Sequence, residues 1–292
     1  MAGFYLTGLE PPLRDVRMTM DYPLVSLETG RKEPIQFVGP RGYVKVVPSA
    51  DSHIASIYDY DLIIYLVSEL NDGKNRGSTL DNTVMFHPIR LLKGIGRGTS
   101  GRDYQRLAAA IRRLRTTTIT TNLKLAENFG VEVPFSWIRH YEIPNYMEGN
   151  DSTKIRTNCP WVVELPEWVP SLFDTQRDIL RVHPNYFSLR SAIARALYRT
   201  ARKSVNPDTK RWMYHARTLH QRYALRSTLP RFVRKVCEIA DADILPDYAI
   251  DVIYDGKQSS ITFRERAVPT PAPVRGLYRP GTDPVLIAGG KL

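Results

Sequence analysis

Residues 248–263 read as a β-hairpin, and that one signal constrains everything around it. Tyr248, Ile250, Val252 and Tyr254 alternate with other residues, Asp255-Gly256 supplies a hairpin turn, and Ile261 and Phe263 alternate back. Thr262, Arg264 and Arg266 fall on the other face of the return strand. Upstream, Arg226-Ser227-Thr228 forms a tight corner, with Ser227 or Thr228 as N-cap and Pro230 tolerated in the first turn. The helix that follows buries Leu229, Phe232, Val233, Val236 and Ala240, and it turns Arg231, Arg234, Lys235 and Glu238 outward. Before the corner, a segment through Trp212 and Leu219 to Leu225 reads as helical. An earlier helix, marked by Leu189, Ala192, Ile193, Ala196 and Leu197, carries Arg195, Arg199 and Arg202 on its exposed side and ends at Asn206-Pro207-Asp208.

This helical stretch holds the charge of the chain. Between Arg190 and Lys235 lie thirteen Lys or Arg residues and one acid, Asp208, while the whole 292-residue chain carries a net charge of only +11. A folded helical segment with one strongly positive face suits a polyanion, and duplex DNA is the favoured one. A short corner lets the second helix project into a major groove, and Arg or Lys on its free face bond base edges or phosphates. Arg231, Arg234 and Lys235 are the reading residues on this scheme, with Arg222, Arg226 and Ser227 near the helix start. The hairpin 248–266 acts as a wing, with Lys257 and Arg264 near a backbone or minor groove, and Arg195, Arg199 and Arg202 serve phosphates. The competing structural explanation is a solvated basic face on a plain helical domain.

The first half repeats the order of elements without sequence identity. Ile35 to Val38 and Tyr43 to Val47 are two short strands joined by Gly39-Pro40-Arg41-Gly42. A helix follows with Asp59 and Asp61 in its first turn, where carboxylates complement the dipole, and Leu62, Ile63, Leu66, Val67 and Leu70 as its core stripe. Asn71-Asp72-Gly73 stops it. Pro88 opens a second short helix that Gly94 ends. Ser100 caps a third, with Asp103 as capping-box partner and Tyr104, Leu107, Ala108, Ile111 and Leu114 buried. Its opposite face presents Arg102, Gln105, Arg106 and Arg113 to DNA, or else this copy of the motif serves dimerisation. Thr116 to Asn122, Trp137 to Ile143 and Trp161 to Leu165 are strands.

Other chemistries lack their signatures. Gly96, Gly98 and Gly101 spell G-x-G-x-x-G, but a helix precedes them and threonines stand where a ribose-binding acid belongs, so they form a corner between helices. The six histidines form no H-x-H or H-x₃-H pair, there is no C-x-x-C, and no phosphate-binding G-x-x-x-x-G-K-[ST] is present. No metal, cofactor or catalytic residue is therefore assigned, and the chain is expected not to be an enzyme. Two cysteines far apart, no signal-peptide pattern and no membrane-length apolar run make the cytoplasm the default location.

Ile57-Tyr58-Asp59-Tyr60-Asp61-Leu62-Ile63-Ile64-Tyr65, Tyr104-Gln105-Arg106-Leu107 through Arg115-Thr116-Thr117-Thr118-Ile119, and Phe232-Val233-Arg234-Lys235 with Leu245-Pro246-Asp247-Tyr248 together resemble the replication initiator protein A family of bacterial plasmids. The resemblance spans roughly residues 34–266. It implies an initiator that binds directly repeated origin sites (iterons), opens an adjacent AT-rich segment and recruits the host initiator and helicase. It also implies that dimers repress the initiator gene while monomers bind iterons, and that Arg231, Arg234 and Lys235 lie on the reading helix of the second module.

The expected fold is α+β, two winged-helix domains in tandem: an N-terminal winged-helix domain with its β-hairpin over 1–172, a C-terminal DNA-binding one over 173–267, and a Pro/Gly-rich disordered tail over 268–292. Neutralising about six to eight phosphates would give a log K against log salt slope of roughly −5 to −7. The rival readings are a winged-helix transcription regulator without a replication role, a nuclease or relaxase, and an RNA-binding protein.

Overall fold

The computed structural model describes residues 4–5 (backbone alone), 12–123, 134–145, 155–175, 178–254 and 258–266. The hairpin turn Asp255-Gly256, Lys257 and the tail beyond Arg266 lie outside the described residues. The chain is mixed α and β and divides into two compact units, Met1–Ser188 and Leu189–Leu292.

The first unit contains, in order, β1 (Phe4–Tyr5), β2 (Arg14–Val16), β3 (Ile35–Gly39), β4 (Gly42–Val47), α1 (Asp61–Asn75), β5 (Thr83–Phe86), α2 (Pro88–Gly94), α3 (Gly101–Thr116), β6 (Thr118–Thr121), β7 (His140–Glu142), β8 (Trp161–Glu164), the single turn α4 (Leu172–Thr175) and β9 (Ile179–Arg181). Three sheets flank the helices, ordered β1-β5-β8-β7, β3-β4-β6 and β2-β9, with β1–β5 their one parallel pair among the described residues. The expected hairpin over 35–47 is β3–β4, with Gly39 opposite Gly42.

Helix α1 runs through the middle of this unit. An apolar stripe alone predicts one buried face, yet Ser68, Glu69 and Asn71 are buried too. A helix covered on nearly all sides is a core helix. Strand β2 lies along it: the Arg14 amide donates to Ser68 Oγ at 2.7 Å, and the Tyr60 hydroxyl donates to the buried Asp15 carboxylate at 3.1 Å. Asn71-Asp72-Gly73 does not stop α1. Gly73 is buried inside the helix, which continues to Asn75, and the chain turns at Gly77 with φ +82°. Helix α2 packs so closely on α1 that a Cβ on Gly94 would lie 2.2 Å from the Tyr65 ring. Beneath, Tyr60, Phe135, Trp137 and Trp168 pack edge to face at 5.1–6.0 Å, each such pair contributing about 0.5–1.5 kcal/mol beyond its buried area.

The second unit is α5 (Ala192–Ser204), β10 (Arg211–His215), α6 (Ala216–Arg222), α7 (Leu229–Asp241), β11 (Tyr248–Tyr254) and β12 (Ser259–Glu265). One antiparallel sheet, ordered β10-β12-β11, pairs Trp212 with Phe263 and Ile250 with Phe263. The expected hairpin therefore forms, with Tyr254 opposite Ser259, so four residues and not two connect its strands. The reading of Trp212 as helical is corrected: residues 211–215 are extended and add a third strand to the hairpin. Pairing with β12, from Arg211 opposite Arg264 to His215 opposite Ser260, satisfies the backbone and outweighs the local helical pattern.

Candidate nucleic-acid interface

Local chemistry builds the corner between α6 and α7. Helix α6 ends with Ala224 in the left-handed region at φ +48°, where its amide donates to the Gln221 carbonyl at 2.9 Å. His220 Nε2 lies 2.5 Å from the Ser227 carbonyl oxygen and pins the far side of the turn. Thr228 is the extended N-cap of α7, as expected, and Pro230 occupies the first turn, where its missing N–H costs nothing. Tyr223 fastens the corner to the core: its ring meets Phe232 edge-on at 6.0 Å, and its hydroxyl lies 2.7 Å from that of Thr200. Burial pushes the Tyr223 pKa well above the ordinary phenol value.

Helix α7 is strongly two-faced. Phe232, Val233, Val236, Cys237 and Ile239 are buried, while Arg231, Arg234, Lys235 and Glu238 are exposed. Lys235 Nζ lies 2.9 Å from Glu238, and Arg234 Nε lies 3.6 Å from it. The hydrogen bond from Lys235 holds the Glu238 carboxyl below its usual range. Arg226 is exposed at the corner and Ser227 is half-buried. Arg222 lies with its guanidinium 4.8 Å from the Tyr214 ring centre and donates to its hydroxyl at 3.3 Å.

Several expected DNA contacts are withdrawn from solvent. Arg195 and Arg199 are only 2% and 5% exposed. Arg195 Nε donates to the Leu189 carbonyl at 2.6 Å. The reading of these two as an exposed phosphate-binding row on α5 is therefore corrected: they lie on the side of α5 turned into the unit. Arg202 is half-buried, with Nη1 3.4 Å from the Tyr248 hydroxyl. Arg264 is corrected likewise. It is 7% exposed and pairs twice with Asp251 on the neighbouring strand, at 2.5 and 3.1 Å, so its charge ties β12 to β11 instead of reaching out from a wing.

In the first unit, α3 begins with the expected capping box between Ser100 and Asp103. Arg102, Gln105 and Arg106 are exposed, and Arg106 lies 3.5 Å from Asp103. Arg113 is corrected: it turns inward and makes two bonds to Asp59, at 2.8 and 3.0 Å. Arg97 similarly meets the fully buried Asp61 at 3.0 Å. The two aspartates thus hold arginines as well as standing at the start of α1. Gly96, with φ +67°, ends α2 in a reversal in which the Arg97 amide donates to the Leu92 carbonyl at 2.7 Å. That geometry is a helix terminus rather than a phosphate loop. A cleft of about 520 Å³ opens here over Leu62, Leu92 and Leu107, rimmed by Asp59, Arg97 and Arg113.

Two exposed cations were missed in the sequence, Arg211 at the start of β10 and Arg217 in the first turn of α6. Reading residues 212–225 as one helix concealed Arg217, and Arg211 lies just before that segment. Among the described residues, no group of three His, Cys, Asp or Glu side chains is placed to hold a metal, and no helix is long and apolar enough to cross a membrane.

Against this geometry, residues 14–250 match the family model described as replication initiator protein A. A protein of Wigglesworthia glossinidia brevipalpis named "Putative replication protein" is 29% identical over 254 residues, covering 87% of this chain and 89% of that protein. Two crystal structures of domains 2 and 3 of RctB share the fold. One, of the selenomethionine derivative, has a TM-score of 0.59 at 15% identity and covers 84% of this chain and 95% of its own. The other has a TM-score of 0.55 at 16% identity and covers 85% and 96%.

Proposed function

Because the chain belongs to the replication initiator protein A family, we propose that it initiates replication by binding duplex DNA at repeated origin sites through two winged-helix modules. The observation that carries this reading is the α6–α7 corner. A helix anchored by Phe232 and Val236 presents Arg231, Arg234 and Lys235 to solvent. The order α5, β10, α6, α7, β11, β12 is that of a helix-turn-helix followed by a wing. Helix α3, with Arg102, Gln105 and Arg106 exposed, is the corresponding element of the first module.

The reading requires no covalent chemistry. Binding and bending a repeated site would supply the free energy that destabilises an AT-rich neighbour. Host initiator and helicase would then be recruited, and a homodimer would repress the gene. With Arg195, Arg199 and Arg264 withdrawn, about three to five phosphates remain to be neutralised, and the salt slope becomes roughly −3 to −4.5.

Footprinting on DNA flanking the gene tests the proposal. Protected direct repeats spaced by whole helical turns are expected, whereas a single inverted repeat would indicate a regulator and overturn it. Arg231→Ala with Arg234→Ala should cost about 1–3 kcal/mol per lost base contact on the specific site and little on random duplex. Equal losses on both would remove these residues from base reading. Nicking of the site with Mg²⁺ or Mn²⁺ would refute the non-enzymatic reading.

A further inference from the structure

We infer that the free edge of β10 is a binding platform for single-stranded DNA, centred on Trp212. This inference goes beyond the duplex reading and, apart from Arg222, uses different residues.

Trp212 is 45% exposed and Met213 48% exposed, on a strand paired on one side alone among the described residues. The other three tryptophans, Trp137, Trp161 and Trp168, are at most 3% exposed. Trp212 has a side-chain partner on the strand, the Tyr214 ring 6.3 Å away, and the Arg222 guanidinium covers Tyr214 in turn. Tyr214 is further fixed by the Ser204 hydroxyl at 2.8 Å and by edge contact with Phe263 at 6.5 Å. The result is a braced row of cation, phenol and indole that ends in an open indole face.

Charge selects the occupant. Lys210, Arg211 and Arg217 fall within residues 210–217, which contain no acid. Lys210 is shared with Glu265 at 3.1 Å, while Arg211 and Arg217 are exposed. An edge so charged disfavours pairing with another strand, and it attracts a polyanion. An indole can stack on a base that has left its helix, but not on one still stacked inside a duplex, so aromatic and cationic groups together favour a single strand. The sheet order keeps this edge apart from α7, which packs on β11 at the opposite side of the sheet. The platform could therefore hold one strand of opened DNA without displacing α7 from a duplex.

The test uses the full chain with fluorescein-labelled oligothymidylate of about 15 nucleotides, and with random duplex at the same ionic strength. Tryptophan emission should be quenched by the single strand, since one of the four indoles is accessible. Trp212→Ala should weaken single-strand binding about 5- to 100-fold, the range for one lost stacking contact, and change duplex binding less than about twofold. Trp212→Phe should keep most of the affinity but lose the quenching, which separates loss of stacking from misfolding. Equal losses on single strand and duplex, or undiminished single-strand binding by Trp212→Ala, would overturn the proposal. So would emission that responds to protein concentration instead of oligonucleotide, which would make the edge a contact between copies. Failure of the α7 variants to alter duplex binding would leave these outcomes unchanged.

Discussion

Asp59 and Arg113 form a two-bond ion pair across 54 residues of chain, with Nε to Oδ2 at 3.0 Å and the second nitrogen to Oδ1 at 2.8 Å. The same carboxylate accepts from the Ser56 amide and hydroxyl, at 2.8 and 3.0 Å. Four donors thus converge on one nearly buried group, and the orientation of α3 is tied to the start of α1. The hydrogen bonds that Arg113 donates to Asp59 push the Arg113 pKa up.

Arg113→Ala should lower stability by about 2–3 kcal/mol, because it strands a buried carboxylate. Arg113→Lys should recover part of that loss, since an ammonium cannot reproduce two parallel bonds. Urea unfolding measures both, and an unchanged midpoint for Arg113→Ala would contradict the pairing.

Arg195→Ala should act on stability and not on DNA. The Leu189 carbonyl would lose its donor inside the unit, at a cost of about 1–3 kcal/mol. The folded variant should bind random duplex within about twofold of the parent and with the same salt slope. A slope shallower by about one unit would instead place this guanidinium on a phosphate.

Asp251→Asn should loosen the hairpin. It removes the partner of a guanidinium that is 7% exposed on the central strand, for a loss of about 1–3 kcal/mol. Hydrogen exchange should quicken at β11 and β12 before it does at α7. Uniform acceleration across the unit would show that the pair does not act locally.

Cys237 should resist alkylation in the folded protein at pH 8, while the half-buried Cys159 reacts. Burial raises the Cys237 pKa from 9.0 to about 11. The folded state then keeps a proton that the unfolded state releases, so this contribution is complete below pH 9 and is lost as pH rises toward 11, by up to ~2–3 kcal/mol. Comparing the alkaline unfolding of the parent with Cys237→Ala measures it. Identical pH dependence would contradict the shift.

Local elements were legible where a single period dominates. The 248–263 alternation, the Ser100–Asp103 capping box and the two-faced pattern of α7 all stand as read, because each depends on residues within a few positions of one another. Residues 211–215 misled because strand and helix patterns overlap there, and pairing with β12, some 50 residues later, decided between them. Ala224 marks its corner with no turn residue at all; the reversal is imposed by packing around Tyr223 and Phe232.

Charge behaved differently from pattern. Which residues are cationic, and that they concentrate between 190 and 235, is a property of the chain alone. Whether a given arginine faces solvent depends on acids and carbonyls brought near it by folding. Arg113 finds Asp59, Arg264 finds Asp251, and Arg195 turns to Leu189, whereas Arg231 and Arg234 stay outside. A long side chain can reach several angstroms to either flank of its helix, so periodicity constrains where its Cα sits but not where its charge ends. The cationic supply was written in the residues; its division into structural pairs and a presented surface arose from long-range contacts.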